Sequence, residues 1–180
     1  MIEATWELII IIIGIALVFD FTNGFHDSAN SISTVVSTKV LSPRNAVLFA
    51  AFFNFIAAFG FGVAVASTIS KIIQLEIVDV KVVPYIILGA LIGAITWNLI
   101  TWFFGLPTSS SHALIGGLTG AGISAAGLTA IKWSTVGQVA LFMVVSPLIG
   151  LTCGFLFMAA ILNLTRNANK QAAETQFKRL

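Results

Sequence analysis

Residues Val82–Ile131 read VVPYIILGALIGAITWNLITWFFGLPTSSSHALIGGLTGAGISAAGLTAI, fifty residues without an Asp, Glu, Lys or Arg. A helical crossing of the bilayer takes about 20 apolar residues, because the hydrocarbon core is about 30 Å thick and a helix rises 1.5 Å per residue. The stretch is long enough for two crossings, and Gly105-Leu106-Pro107 divides it. Pro84–Gly105 reads as one span, with Pro84 tolerated in the first turn. Ser111–Ala126 reads as a shorter, glycine-rich helix that crosses. On either side the same reading gives a span over Ala46–Thr68, interrupted mainly by Asn54, and another over Gly137–Leu164 that Pro147 is expected to kink.

The composition agrees. Of 180 residues, 58% are hydrophobic and 9% charged, with a net charge of +2. Soluble domains carry roughly 25% charged residues, so this chain lacks the charge to cover a water-facing surface. An ordinary soluble enzyme is excluded, as is a disordered chain or a nucleic-acid binder, since no basic patch exists. The lone Cys153 excludes an internal disulfide framework. The fold class expected is all-α: a polytopic membrane helical bundle of about five spans, with residues 1–165 as the membrane domain. Residues 166–180 form a basic cytoplasmic tail or the start of a linker.

The first segment is unlike the others. Leu8–Val18 is continuously apolar, but it runs into Asp20-Phe-Thr-Asn-Gly-Phe-His-Asp-Ser-Ala-Asn30. Its flank carries Glu3 and Glu7 in place of basic residues, which does not suit a cleavable signal peptide. Trp6–Ser37 is too long for one straight crossing, and Asn23-Gly24 reads as a breaker, so a broken or re-entrant helix is expected. Charge then orients the chain by the positive-inside rule. Lys39 and Arg44 put the first loop in the cytoplasm and the N-terminus outside; the tail with Arg166, Lys170, Lys178 and Arg179 also belongs in the cytoplasm. Glycine pairs spaced by four (Gly89/Gly93, Gly116/Gly120, Gly150/Gly154) suit close helix packing in lipid.

Ionisable groups inside a span cost about 2.5–3.5 kcal/mol each for Asp at a helix centre on insertion scales, and usually face a pathway or a partner. Asp20, Asn23, Asp27, Asn30 and Thr34 follow steps of three and four, which aligns them on one helix face. His26, Asn30, Ser33 and Ser37 make an adjoining stripe. Interhelical packing by hydrogen bonds is the competing explanation, but two carboxylates and a histidine exceed what packing requires. A second polar run, Pro107-Thr108-Ser109-Ser110-Ser111-His112, offers hydroxyls beside the unpaired N–H groups of a helix start. Such starts favour anions, although an ordinary N-cap would look similar. Together these residues suggest a division of labour. Asn23, Asn30, Thr108, Ser109, Ser110 and Ser111 would bind an oxyanion. Asp20, His26, Asp27 and His112 would hold the cation or proton without which the carboxylates repel it. That is the physical requirement for symport, and secondary carriers keep such sites near the bilayer midplane.

Gly24-Phe-His-Asp-Ser-Ala-Asn-Ser31 resembles the signature Gly-Ala-Asn-Asp-Val-Ala-Asn-Ala/Ser of the inorganic phosphate transporter family, matching at Gly24, Asp27, Ala29 and Asn30. The Pro107–His112 run is similar to the family's second hallmark, and Trp97-Asn98 and Ser146-Pro147 extend the likeness over most of the chain. The resemblance implies a carrier of the cell (inner) membrane that moves inorganic phosphate, free or as a divalent-metal complex, with a co-transported proton or sodium and no bound cofactor. Members are usually more than twice as long, with two inverted repeats. This chain looks like the N-terminal repeat alone: a fragment, a split half, or a half that pairs with another copy of itself. Sodium, if coupled, would fall on Asp27 and Asn30. Phe25 and His26 replace the Ala-Asn of sodium-coupled members, however, and imidazole suits a proton near neutral pH better than a hard cation, so a proton is favoured.

Two other classes compete. Ser110 or Ser111 with His112 and Asp27 supplies the parts of an intramembrane hydrolase, but no Gly-x-Ser-x-Gly elbow is present. A non-transporting scaffold or a channel-like half-carrier that needs a second repeat is the nearer alternative.

Overall fold

A computed structural model describes residues 6–60, 67 and 70–166. Among the described residues the α-helices are α1 (Trp6–Ser37), α2 (Pro43–Gly60), α3 (Val83–Phe103), α4 (Ser110–Ala126) and α5 (Trp133–Thr165), with a short 3-10 turn at Leu128–Ala130. The end of the span expected to reach Thr68, the acidic Glu3 and the tail beyond Arg166 lie outside the described residues. Among the described residues three helices (α1, α3 and α5) are long and apolar enough to cross a membrane. Helix α4, at 17 residues, is about 25 Å long.

The break expected at Asn23-Gly24 is absent, because α1 is one continuous helix of 32 residues. The helix runs without interruption through its hydroxyl residues. The hydroxyls of Thr22, Ser28, Ser31, Ser33 and Ser37 each donate to the carbonyl oxygen three residues earlier, at 2.8–3.1 Å. Hydroxyls bonded in this way find their partner on their own helix, at a small cost to its stability. In lipid no water competes for the backbone, so a glycine that weakens a soluble helix by about 1 kcal/mol is tolerated. The helix stops at Lys39, whose φ of 59° is left-handed. Chain reversal follows at once, with Pro43 in the first turn of α2 and the Asn45 N–H donating to Ser42 Oγ at 3.4 Å.

The chain comprises two compact units, Met1–Val136 and Gly137–Leu180. In the first unit α3 and α4 form an antiparallel hairpin. Gly93 lies opposite Gly117, and Gly89 opposite Ala121. The approach is closest at Gly117, where an added Cβ would sit 2.5 Å from the carbonyl oxygen of Ala90. Gly116 and Gly120, expected from their spacing to make this contact, meet nothing within 4 Å among the described residues, and neither do Gly150 and Gly154. Helix α1 packs on the hairpin through Phe19, which clusters with Leu91 and Ala94 and is flanked by Ile12, Ile15 and Ala16. Beyond the far end of α4, Ile73 pairs with Ile131 in an isolated bridge. The Gln74 side-chain amide clasps the carbonyls of Thr129 and Ile131, both at 3.1 Å. The second unit is the body of α5, which runs on both sides of Pro147.

Candidate functional site

Along the inner stripe of the first unit the core changes character. At one level it is apolar, with Phe19, Leu91 and Ala94. Further along it is polar: His26 on α1, Asn98 and Thr101 on α3, and Ser110 at the start of α4 are all buried. The register is fixed at both edges. The Phe25 and Trp102 rings stand 5.3 Å apart, centroid to centroid, and Trp97 Nε1–H donates to Thr108 Oγ1 at 3.3 Å. The polar turn of α1 and the hydroxyl run therefore meet at the same end of the hairpin.

Three cavities open around this junction. One, of about 560 Å³, is lined by Trp97, Pro107, Thr108, Ser109 and His112 together with the glycine face of α4. A second, of about 600 Å³, is lined by His26, Ser28, Asn30, Trp102 and Pro107, so Pro107 borders both. The third, of about 460 Å³, carries Asn23 of α1 and Ser111 of α4 on otherwise largely apolar walls. Each carries part of the expected anion set: Thr108 and Ser109 line the first, Asn30 the second, Asn23 and Ser111 the third.

The hydroxyl run divides into distinct environments. Ser109 is the N-cap of α4, in extended backbone geometry, yet its side chain makes no capping bond. The N-cap explanation for this run thus fails at the residue best placed to satisfy it. Thr108 and Ser109 are half-buried, Ser110 is 1% exposed, and Ser111 and His112 are exposed. On α1, Asn23 and Asp27 are half-buried while Asp20 and Asn30 are exposed. Neither carboxylate lines the three cavities. Asp20 and Asp27 thus form an outer flank, lining none of the cavities that carry Asn23, Asn30 and the hydroxyls. Among the described residues no group of three His, Cys, Asp or Glu side chains is placed to hold a metal ion.

Sequence reasoning missed Asn98, which is 1% exposed. Its signal was present: a lone amide in the middle of a charge-free span must find a partner or a purpose. Both ends of its amide lack a hydrogen-bond partner among the described residues, as do Asn23 Oδ1, His26 Nδ1 and Ser110 Oγ.

Comparison with known proteins locates this arrangement. Residues 23–178 match the model of the phosphate transporter family. A protein of Rhizobium meliloti, named a probable low-affinity inorganic phosphate transporter, is 47% identical over 174 residues, covering 96% of this chain and 51% of its own length. Proteins of the same name in Bacillus subtilis and Streptomyces halstedii are 43% and 46% identical, over 51% and 79% of their own lengths and 96% and 95% of this chain. A solved structure described as the sodium-dependent phosphate transporter superposes with a TM-score of 0.83 at 34% identity, over 94% of this chain and 43% of that one. The chain spans about half the length of the first two of these relatives. These relatives are transporters, which removes the hydrolase alternative.

Proposed function

The chain belongs to the phosphate transporter family, and from that membership we propose that it forms half of a secondary carrier moving inorganic phosphate in symport with a cation, a proton in preference to sodium. The observation that carries the reading is the meeting of two polar segments, Asn23–Asn30 and Pro107–His112, at one end of a hairpin whose remaining span is apolar. Phosphate needs many hydrogen-bond donors and no nearby uncompensated negative charge. Thr108, Ser109, Ser110 and Ser111 supply hydroxyls beside the first N–H groups of α4, where the helix dipole favours an anion. Asn23 and Asn30 add amide donors from α1.

The carboxylates explain the coupling. Asp20 and Asp27 on the outer flank repel phosphate unless a cation or proton neutralises them, so each partner binds well only with the other. His112 and the buried His26 extend this cation-sensitive set. An imidazole in place of a neutral oxygen ligand supports proton coupling, because hard cations take oxygen ligands. Phosphate travels as the free anion or as a neutral divalent-metal complex. A second repeat, or a second copy of this chain, covers the outer flank where Asp20 is exposed. With α4 crossing, five spans put the N-terminus outside and the basic tail in the cytoplasm of the cell membrane, residues 1–165 forming the membrane domain.

Uptake of labelled phosphate into vesicles from cells expressing the carrier tests this. An imposed pH gradient without sodium should drive uptake, and a protonophore should collapse it. A strict sodium requirement would overturn proton coupling. Phosphate flux indifferent to both gradients would identify a channel.

A further inference from the structure

The polar layer of the first unit contains two kinds of buried group. Thr101 is 3% exposed, and its hydroxyl donates to the carbonyls of Trp97 and Asn98 at 2.9 and 3.1 Å, so it is satisfied by its own helix. Asn98, Ser110 and His26 are 1%, 1% and 7% exposed, and each keeps a polar atom without a partner among the described residues. They come from three different helices, α1 and α4 each packing on α3. On α3, Asn98 lies four residues beyond Ala94 and three before Thr101, on the buried stripe. On α4, Ser110 opens the stripe that continues through Ala113, Gly117 and Ala121, which faces α3. The Trp97–Thr108 hydrogen bond joins the turn of α3 that carries Asn98 to the segment entering α4, and the Phe25–Trp102 pair joins the turn of α1 that carries His26 to the next turn of α3.

Buried polar atoms in native proteins find partners, and where side chains do not reach one another the partner is ordered water, which makes two to four bonds. The unpartnered set here is two amides, a hydroxyl and an imidazole, with no carboxylate. A bare cation among them would lack a counter-charge, whereas water suits donors and acceptors alike. We propose that Asn98 is the positioning residue of the phosphate site: through ordered water its amide ties Ser110 on α4 to His26 on α1, fixing the first turn of α4 in the geometry that receives the anion. This rests on the reading of the chain as a phosphate carrier and adds a residue that binds no substrate itself.

Kinetics of phosphate uptake by the full carrier test the tie. Asn98→Leu keeps the branched shape of the side chain and removes both amide ends; it should raise the half-saturation concentration about tenfold, the upper value of one hydrogen bond, with a nearly unchanged maximal rate per inserted carrier. Asn98→Ser, which keeps a hydroxyl, should recover most of that loss. Ser110→Ala added to Asn98→Leu should weaken binding less than the two separate effects combined, because both remove the same tie. Thr101→Val should leave half-saturation unchanged. If Asn98→Leu does not reach the membrane, the same cycle is run from Asn98→Ser, and strict additivity with Ser110→Ala would overturn the tie. An unchanged half-saturation in Asn98→Leu would overturn it equally, while wild-type uptake leaves the carrier reading standing. Absence of phosphate uptake by the wild type would overturn the carrier reading, and this inference with it.

Discussion

Helix α1 and the start of α4 are both rich in hydroxyls within an apolar chain, but their hydrogen bonds go to different places. On α1, Thr22, Ser28, Ser31 and Ser33 donate to carbonyls of their own helix. At α4, Ser109 makes no capping bond, Ser110 Oγ is buried without a partner among the described residues, and Thr108 accepts from Trp97. Polar content alone therefore does not locate a binding site in a membrane protein. Hydrogen-bonding capacity left unsatisfied by the fold locates it, because an unsatisfied buried donor costs roughly 1–3 kcal/mol and persists only where something else meets it. On the proposed reading the carboxylates of α1 follow the same logic in charge, with a cation or proton as their partner.

The largest expected effect tests that last point. Asp27→Asn keeps the shape of the side chain and removes its charge, so gradient-driven phosphate uptake should be abolished while the amount of carrier inserted in the membrane stays the same. Normal uptake would return Asp27 to a packing role and make α1 wholly unlike α4. Next comes the frame that holds the two regions together. Gly117→Ala drives a Cβ to 2.5 Å from the Ala90 carbonyl oxygen, and overpacking of this kind costs about 1–3 kcal/mol. The melting temperature in detergent should fall. Gly116→Ala, with nothing within 4 Å among the described residues, should hold or raise it, since alanine favours a helix by about 1 kcal/mol over glycine. Equal melting temperatures would contradict the hairpin register. A smaller effect is expected at His26. Changing it to Asn should flatten the dependence of uptake on external pH without abolishing transport; a pH profile identical to wild type would leave His26 as a buried packing residue and sodium as the better coupling ion.

Much of this was readable from the sequence, and the failures have physical causes. The charge-free run Val82–Ile131 announced the hairpin, and the Pro107–His112 run its polar end. The break in α1 was misread because Asn23-Gly24 is a breaker in water, where solvent competes for the backbone; in lipid that competitor is missing. Gly117 was overlooked in favour of Gly116 and Gly120 because spacing gives a helix face without saying which face meets the neighbour. Asn98 was passed over for a related reason. A single amide has no periodicity, and its burial depends on the register of two other helices. The grouping of Asn23 with Ser111 in one cavity required the same three-helix packing.

The most direct measurement is a side-by-side determination of the half-saturation concentration for phosphate in two multiple variants of the carrier. One replaces Thr108, Ser109, Ser110 and Ser111 by Ala; the other replaces Ser28, Ser31 and Ser33 by Ala. Each neutral hydrogen bond contributes about 0.5–1.5 kcal/mol net, so losing several at α4 should raise half-saturation by tenfold or more. The α1 variant, whose hydroxyls are already bonded to their own helix, should stay within about twofold of wild type. Equal shifts in the two variants, or a shift in the α1 variant alone, would contradict the assignment of the anion site to the start of α4.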